Sequence, residues 1–117
     1  MTLRQRTSRI AYFNECLTDA IAEVLANDAE ALEDIVVGIE DVPHLTTRWS
    51  GDRVPLSAAL EATKTQPVQI VLYERPIEHR ASSPSQLKRL VHRTLVEQLS
   101  TLTGRSITDL GGDEDWD

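Results

Sequence analysis

One helix constrains the fold most, because its start, its buried face and its end can all be predicted from the sequence. Ser83 precedes Pro84 and lies three residues before Gln86, a pattern typical of a capped helix N-terminus with proline in the first turn. Apolar residues then recur at the spacing of one helix face: Leu87, Val91, Leu95, Leu99 and Leu102. Gly104 follows, the residue type that most often ends a helix. Such a helix needs an apolar surface to pack against.

A second amphipathic helix near the N-terminus can supply that surface. Its apolar residues have the same spacing: Ile10, Phe13, Leu17, Ala20, Ile21, Val24 and Leu25. Thr7 or Ser8 is predicted to cap its start and Asn27-Asp28 to end it, with a further helical turn at 29–33. Cys16, the only cysteine, lies on this helix beside apolar residues. We expect a buried core residue there, not a reactive thiol.

Two β-branched segments predict strands, one at Ile35–Ile39 and the other at Val68–Tyr73. Val42-Pro43 closes the first strand and Arg75-Pro76 the second. Between them the sequence is irregular, with a turn predicted at 49–52, an extended piece at 54–56 and a short helix over Ser57 to Ala62. The order is therefore helix, strand, irregular segment, strand and helix.

The length of 117 residues suits one domain, predicted over residues 1–110. Residues 111–117 form an acidic tail that is predicted to be disordered, or alternatively to be a docking peptide. The net charge is −7, and no Lys or Arg lies between Arg9 and Arg48, which argues against a nucleic-acid partner. No segment approaches the roughly 20 apolar residues of a membrane span, and none resembles a signal peptide. We therefore expect a cytoplasmic protein with no membrane partner.

The last helix also carries a polar strip beside its apolar face. A helical wheel places Thr94, Glu97, Gln98 and Thr101 together along one margin, facing inward. Buried polar groups cost free energy unless they are paired, so such a strip needs an explanation. One interpretation is that the side chains hydrogen-bond to one another and to a neighbouring loop, or lie at a boundary that water partly reaches. The other is that they form the floor of a cleft.

At this helix the chain resembles a family of small bacterial proteins, the minimal zincin-like metallopeptidases, whose helix carries HExxHxxGxxD after an Arg-Thr pair. Arg93-Thr94-Leu95-Val96 fits the residues that lead into the motif. Upstream segments follow the family's order and spacing: Ile39–Pro43, Val54–Ser57 and Pro67–Glu78. The resemblance covers roughly residues 10–110. It implies an α+β fold, a zincin-like minimal domain with two principal helices on a small mixed sheet that includes Ile35–Asp41 and Val68–Tyr73. The expected core comprises Phe13, Leu17, Ile21, Val24, Val37, Ile70, Leu72, Val91, Leu95 and Leu99.

When the chain is aligned with this family's motif, the motif is degenerate. The five motif positions, taken in order as first histidine, catalytic glutamate, second histidine, glycine and distal aspartate, are occupied by Glu97, Gln98, Thr101, Gly104 and Ile107. In the motif, two histidines four apart bind zinc and the glutamate takes a proton from the zinc-bound water. Glutamine cannot act as that base, and isoleucine cannot bind zinc. A register shifted back by one residue is no better, because it places Val96 and Ser100 at the histidines.

The resemblance and its departures together predict a catalytically inactive zincin-like protein without metal or cofactor. His44, His79 and His92 are not spaced as ligands and are expected at the surface. The predicted role is a binding or interaction module for an unknown protein or peptide partner. One alternative is a hydrolase with a relocated active site around Glu97. Another is an adaptor that binds a basic partner through the acidic first helix or the tail at 113–116.

Overall fold

The computed structural model describes residues 3–42 and 54–113, with side chains from residue 8 onward. Its elements, in chain order, are α1 (Leu3–Asn27), β1 (Ile35–Glu40), β2 (Ser57–Leu60), β3 (Val68–Tyr73), α2 (Glu74–Arg80) and α3 (Pro84–Thr103). The fold is α+β with a small mixed sheet, as predicted.

The sheet has the order β1-β3-β2, so β3 is the central strand. β1 pairs with β3 in parallel, from Ile35 opposite Val68 onward, and β2 pairs with β3 antiparallel, from Ser57 opposite Leu72 onward. The predictions of β1 and β3 are confirmed. The short helix predicted over Ser57 to Ala62 is wrong, because this segment forms β2. Its alanines and leucine favour helix locally, but hydrogen bonds to β3 decide the conformation.

Both predicted ends of α3 are confirmed. The backbone N–H of Gln86 donates to Ser83 Oγ at 3.1 Å. In a capping box the Gln86 side chain would accept a hydrogen bond from the cap residue, Ser83. Here Gln86 Oε1 accepts instead from the residue before it, with Ser82 Oγ as donor at 2.6 Å. At the other end Gly104 takes the left-handed conformation, with φ 78°, and its N–H donates to Ser100 O. Left-handed backbone costs glycine little, which explains why the helix stops there.

The other two helices differ from the predictions. α1 begins at Leu3, so Thr7 and Ser8 lie inside it and neither is its N-cap. Residues 3–6 are good helix formers, and they extend the helix towards the N-terminus. α2 was not predicted at all, because Pro76 was interpreted as a stop after β3. Proline is tolerated in a first helical turn, where its missing N–H is not needed. None of the helices described is long and apolar enough to cross a membrane.

The core lies between the two long helices and one face of the sheet. Of the ten predicted core residues, eight are buried, and Ile21 and Val37 pack against them while partly exposed. Cys16 is 2% exposed, as predicted. Ala20 and Leu87, from the predicted apolar stripes, also belong to the core. Four core residues were in neither the predicted core nor the predicted stripes: Ala31, Ile77, Val96 and Leu110. Three residues of the predicted apolar stripes are instead exposed: Ile10, Leu25 and Leu102.

Candidate functional site

Exposure along the polar strip of α3 increases towards the helix C-terminus. Thr94 is 5% exposed, Glu97 and Gln98 are partly buried, and Thr101 is exposed. The expectation that Thr101 faces inward is therefore wrong. Its neighbour Leu102 is also exposed, at 37%, so solvent reaches this side of the last turn of α3.

Gln98 has a specific partner in the sheet. The hydroxyl of Ser57, the first residue of β2, donates to Gln98 Oε1 at 2.7 Å. The bond is partly buried and joins residues 41 positions apart in the chain. It satisfies a polar group that would otherwise cost free energy at the margin of the core. At this position a hydrogen bond explains the polar residue, although the partner is a strand residue and not the neighbouring loop that was expected.

Within the part of the chain that the structure describes, Glu97 forms an ion pair with a residue of its own helix and not with another element. Arg93 Nε lies 3.4 Å from Glu97 Oε2, and the two side chains are 31% and 45% exposed. Ion pairs between residues four apart on a helix contribute about 0.3–0.5 kcal/mol when solvent reaches them. Glu97 therefore lies at the boundary between the core and solvent, with its carboxylate beside an arginine.

The segment after α3 is held by hydrogen bonds and by packing. Ser100 Oγ donates to the carbonyl of Arg105 at 2.7 Å, and Arg105 Nε donates to Asp28 Oδ2 at 2.6 Å. Asp28 follows the end of α1, so this ion pair joins the ends of the two long helices. Ile107 packs against the hydrophobic core beside Leu110, which is fully buried. Both the ion pair and Ile107 stabilise the end of the domain.

The residues at the aligned motif positions do not fit a zinc ion. A zinc site in a protein needs three or four nitrogen, sulfur or carboxylate donors around one point. Glu97 is the only one of these residues with such a donor, and Arg93 lies beside it. The side-chain oxygen of Gln98 accepts from Ser57, and Ile107 has no donor atom. Within residues 3–42 and 54–113 there is no group of three His, Cys, Asp or Glu side chains that could hold a metal ion.

The histidines are placed differently from one another. His44 lies outside the described residues, and His79 is exposed on α2, as predicted. His92 departs from the prediction of a surface residue, because its Nε2 is buried. It lines a groove of about 600 Å³ between α1 and α3, together with Cys16 and Glu23. Burial lowers the pKa of His92, which the charge of Glu23 partly opposes.

The groove does not indicate a reactive cysteine. Burial raises the pKa of the Cys16 thiol, although a hydrogen bond with Tyr12 and the charge of Lys88 act in the opposite direction. Reactive cysteines have a lowered pKa and are accessible to solvent. Cys16 therefore has the properties of the core residue that the sequence predicts.

Sequence reasoning also missed a pair of acidic residues on α2. Glu74 and Glu78 are four residues apart, so they are neighbours on one face of this helix. Their spacing of four residues indicates neighbouring side chains only if the segment is helical, and this helix was not predicted. Ser57 was missed for a different reason, because no local pattern links it to Gln98.

Comparison with known proteins agrees with the resemblance seen in the sequence. A family model described as zincin-like metallopeptidase matches residues 19–116. No curated protein matches the chain. The family match begins within α1 and includes β1, β2, β3, α2 and all of α3. Because it spans most of the 117 residues, the chain belongs to the zincin-like metallopeptidase family.

Proposed function

We propose that this chain is a zincin-like protein without zinc-hydrolase activity, retained as a binding module for a protein or peptide. The observation that carries the proposal is the bond between Ser57 Oγ and Gln98 Oε1, at 2.7 Å. Gln98 occupies the position that the resemblance assigns to the catalytic glutamate. An amide cannot accept a proton from a metal-bound water, so this residue cannot serve as the general base.

The positions aligned with zinc ligands support the same proposal. Glu97 forms an ion pair within the helix, and Ile107 contributes to apolar packing. In these structural roles the residues maintain the fold but do not catalyse zinc-dependent hydrolysis. Membership of the family supports the fold, whereas activity depends on the residues of the site.

Zinc content is the direct test. We expect protein purified without chelators to contain far less than one zinc per chain by elemental analysis. Protein incubated with excess zinc and then passed through a desalting column should give the same result. Stoichiometric zinc that survives desalting would contradict the proposal.

Restoring the motif tests the alignment on which the proposal depends. The variant Glu97→His, Gln98→Glu, Thr101→His and Ile107→Asp should gain zinc affinity, because it restores three ligands and the base on one scaffold. The matched control carries only Gln98→Glu and Ile107→Asp, and it should bind zinc no better than the parent. Circular dichroism must show that both variants fold. If the folded four-residue variant binds no more zinc than the control, the alignment is wrong.

The alternative is a hydrolase with relocated chemistry around Glu97. The 45% exposure of the Glu97 side chain and its pairing with Arg93 weigh against it, since a buried acid in a closed cleft would suit that role better. If hydrolysis of a peptide substrate is found, Glu97→Gln should abolish it on this alternative. Unchanged activity in that variant would remove Glu97 from the reaction.

A further inference from the structure

The acidic pair on α2, Glu74 and Glu78, is not part of the degenerate motif, and one of its carboxylate oxygens is a buried acceptor without a donor in the described part of the chain. Glu74 and Glu78 are one helical turn apart, and both are partly buried. The Oε2 atom of Glu78 is inaccessible to solvent and has no hydrogen-bond donor among the described residues. A buried carboxylate oxygen in this situation costs free energy.

A shared proton removes that cost. Two ionised carboxylates have only acceptors, so neither can donate a hydrogen bond to the other. If one of them is protonated, its hydroxyl can donate to its neighbour, and the pair then has one negative charge in place of two.

The surrounding charges act in both directions. The pKa of Glu78 is raised from 4.5 to about 7, chiefly by burial and further by the hydrogen bond that its protonated form makes with Glu74 and by the charge of Glu74. Arg9, on α1, and Arg75, on α2, oppose it. Arg75 is largely exposed, and its Nε lies 3.5 Å from Asp41 Oδ2. Solvent and this competing carboxylate therefore weaken the effect of Arg75 on the pKa of Glu78.

The position of the pair makes it able to affect the fold. α2 is only seven residues long, and Ile77 is its one fully buried side chain. Ile77 lies on the turn between the two glutamates and packs into the core. A helix this short has little stability of its own and depends on its tertiary contacts. Repulsion between adjacent carboxylates therefore acts on α2, a helix with few tertiary contacts.

We propose that Glu74 and Glu78 share one proton and that this proton makes the docking of α2 sensitive to pH near neutrality. With the proton bound, Oε2 of Glu78 takes part in a hydrogen bond and Ile77 is held in the core. Loss of the proton places two negative charges one turn apart and loosens α2. Because the pKa of Glu78 is raised in the folded state, this stabilisation is complete below about pH 4.5 and is lost as pH rises through about 7.

Carboxyl-detected NMR of the unmodified protein is the primary test. One glutamate carboxyl should titrate with a midpoint near 7, and its signal should be absent in Glu78→Gln. In Glu74→Gln the Glu78 midpoint should fall, since the neighbouring charge is gone. If all glutamates titrate below about pH 5, the range of ordinary carboxyls, the proposal is overturned.

Hydrogen exchange tests whether the proton controls α2. Between pH 6 and pH 8, after correction for the intrinsic rate, protection of the α2 amides should fall several-fold while that of β3 stays constant. Glu78→Gln should abolish this fall, because its amide is neutral at both pH values. Glu33→Gln, at an exposed position outside α2, is the matched control and should behave like the parent. Unchanged α2 protection in the parent protein would overturn the proposal even if Glu78 titrates near 7.

Discussion

The buried face of α3 and its polar margin are held by different interactions. Leu95 and Leu99 on the buried face are fully inaccessible and pack into the continuous core. On the margin Gln98 depends on one hydrogen bond to Ser57, and Glu97 depends on one ion pair to Arg93. The buried face covers a large apolar area, whereas each of these margin residues makes one polar contact that solvent partly reaches.

This difference shows which positions of α3 the fold depends on most. Apolar burial contributes roughly 25 cal/mol per Å², so the face alone can fix the position of α3. A polar residue on the margin contributes only about 1 kcal/mol, so we expect the fold to tolerate its replacement. Residues at the aligned motif positions can therefore change while the helix, its caps and its packing stay the same.

The largest effect is expected on the buried face. Leu95→Ala should lower the free energy of unfolding by about 3 kcal/mol, because it removes buried methyl groups and leaves a cavity. Urea denaturation measures the change. Leu102→Ala, at a residue that is 37% exposed on the same helix, is the control and should cost less than about 1 kcal/mol. Equal losses in the two variants would show that the face does not dominate.

An intermediate effect is expected for Gln98. A double-mutant cycle with Ser57→Ala and Gln98→Ala should give a coupling of about 1 kcal/mol, the usual net contribution of such a hydrogen bond. A cycle that pairs Ser57→Ala with Thr101→Ala is the control, since Thr101 is exposed, and its coupling should be close to zero. No coupling between Ser57 and Gln98 would mean that the bond contributes nothing to holding α3 on β2.

The smallest effect is expected for the ion pair. The coupling between Arg93 and Glu97 should be about 0.3–0.5 kcal/mol at low salt. It should shrink further at high ionic strength, because both side chains are accessible to counter-ions. The same cycle measured in dilute and in molar NaCl checks this. A coupling above about 1 kcal/mol that is insensitive to salt would place Glu97 in a more enclosed site than the structure shows.

Local patterns were sufficient for the elements whose residues agree with their final conformation. The cap at Ser83, the stop at Gly104 and the β-branched strands β1 and β3 were all predictable. β2 was not, because its Ser-Ala-Ala-Leu sequence favours helix and only pairing with β3 makes it a strand. α2 was hidden by Pro76, which is compatible with a first helical turn as well as with a stop.

The candidate site divides in the same way. The wheel placed Thr94 and Gln98 near the core, and the structure agrees. It was wrong for Thr101, because a wheel gives direction around a helix but not how far the neighbouring elements extend along it. The partner of Gln98 depends on the position of β2, which no local pattern contains.

The central position of β3 has a consequence for the order in which the chain can fold as it is synthesised. β1 and β2 each pair with β3, and the described residues show no pairing between β1 and β2. While the ribosome has released only the residues before Val68, both earlier strands lack the partner that they have in the finished sheet. The sheet can therefore form only after β3 emerges, and α2 and α3 follow directly behind it.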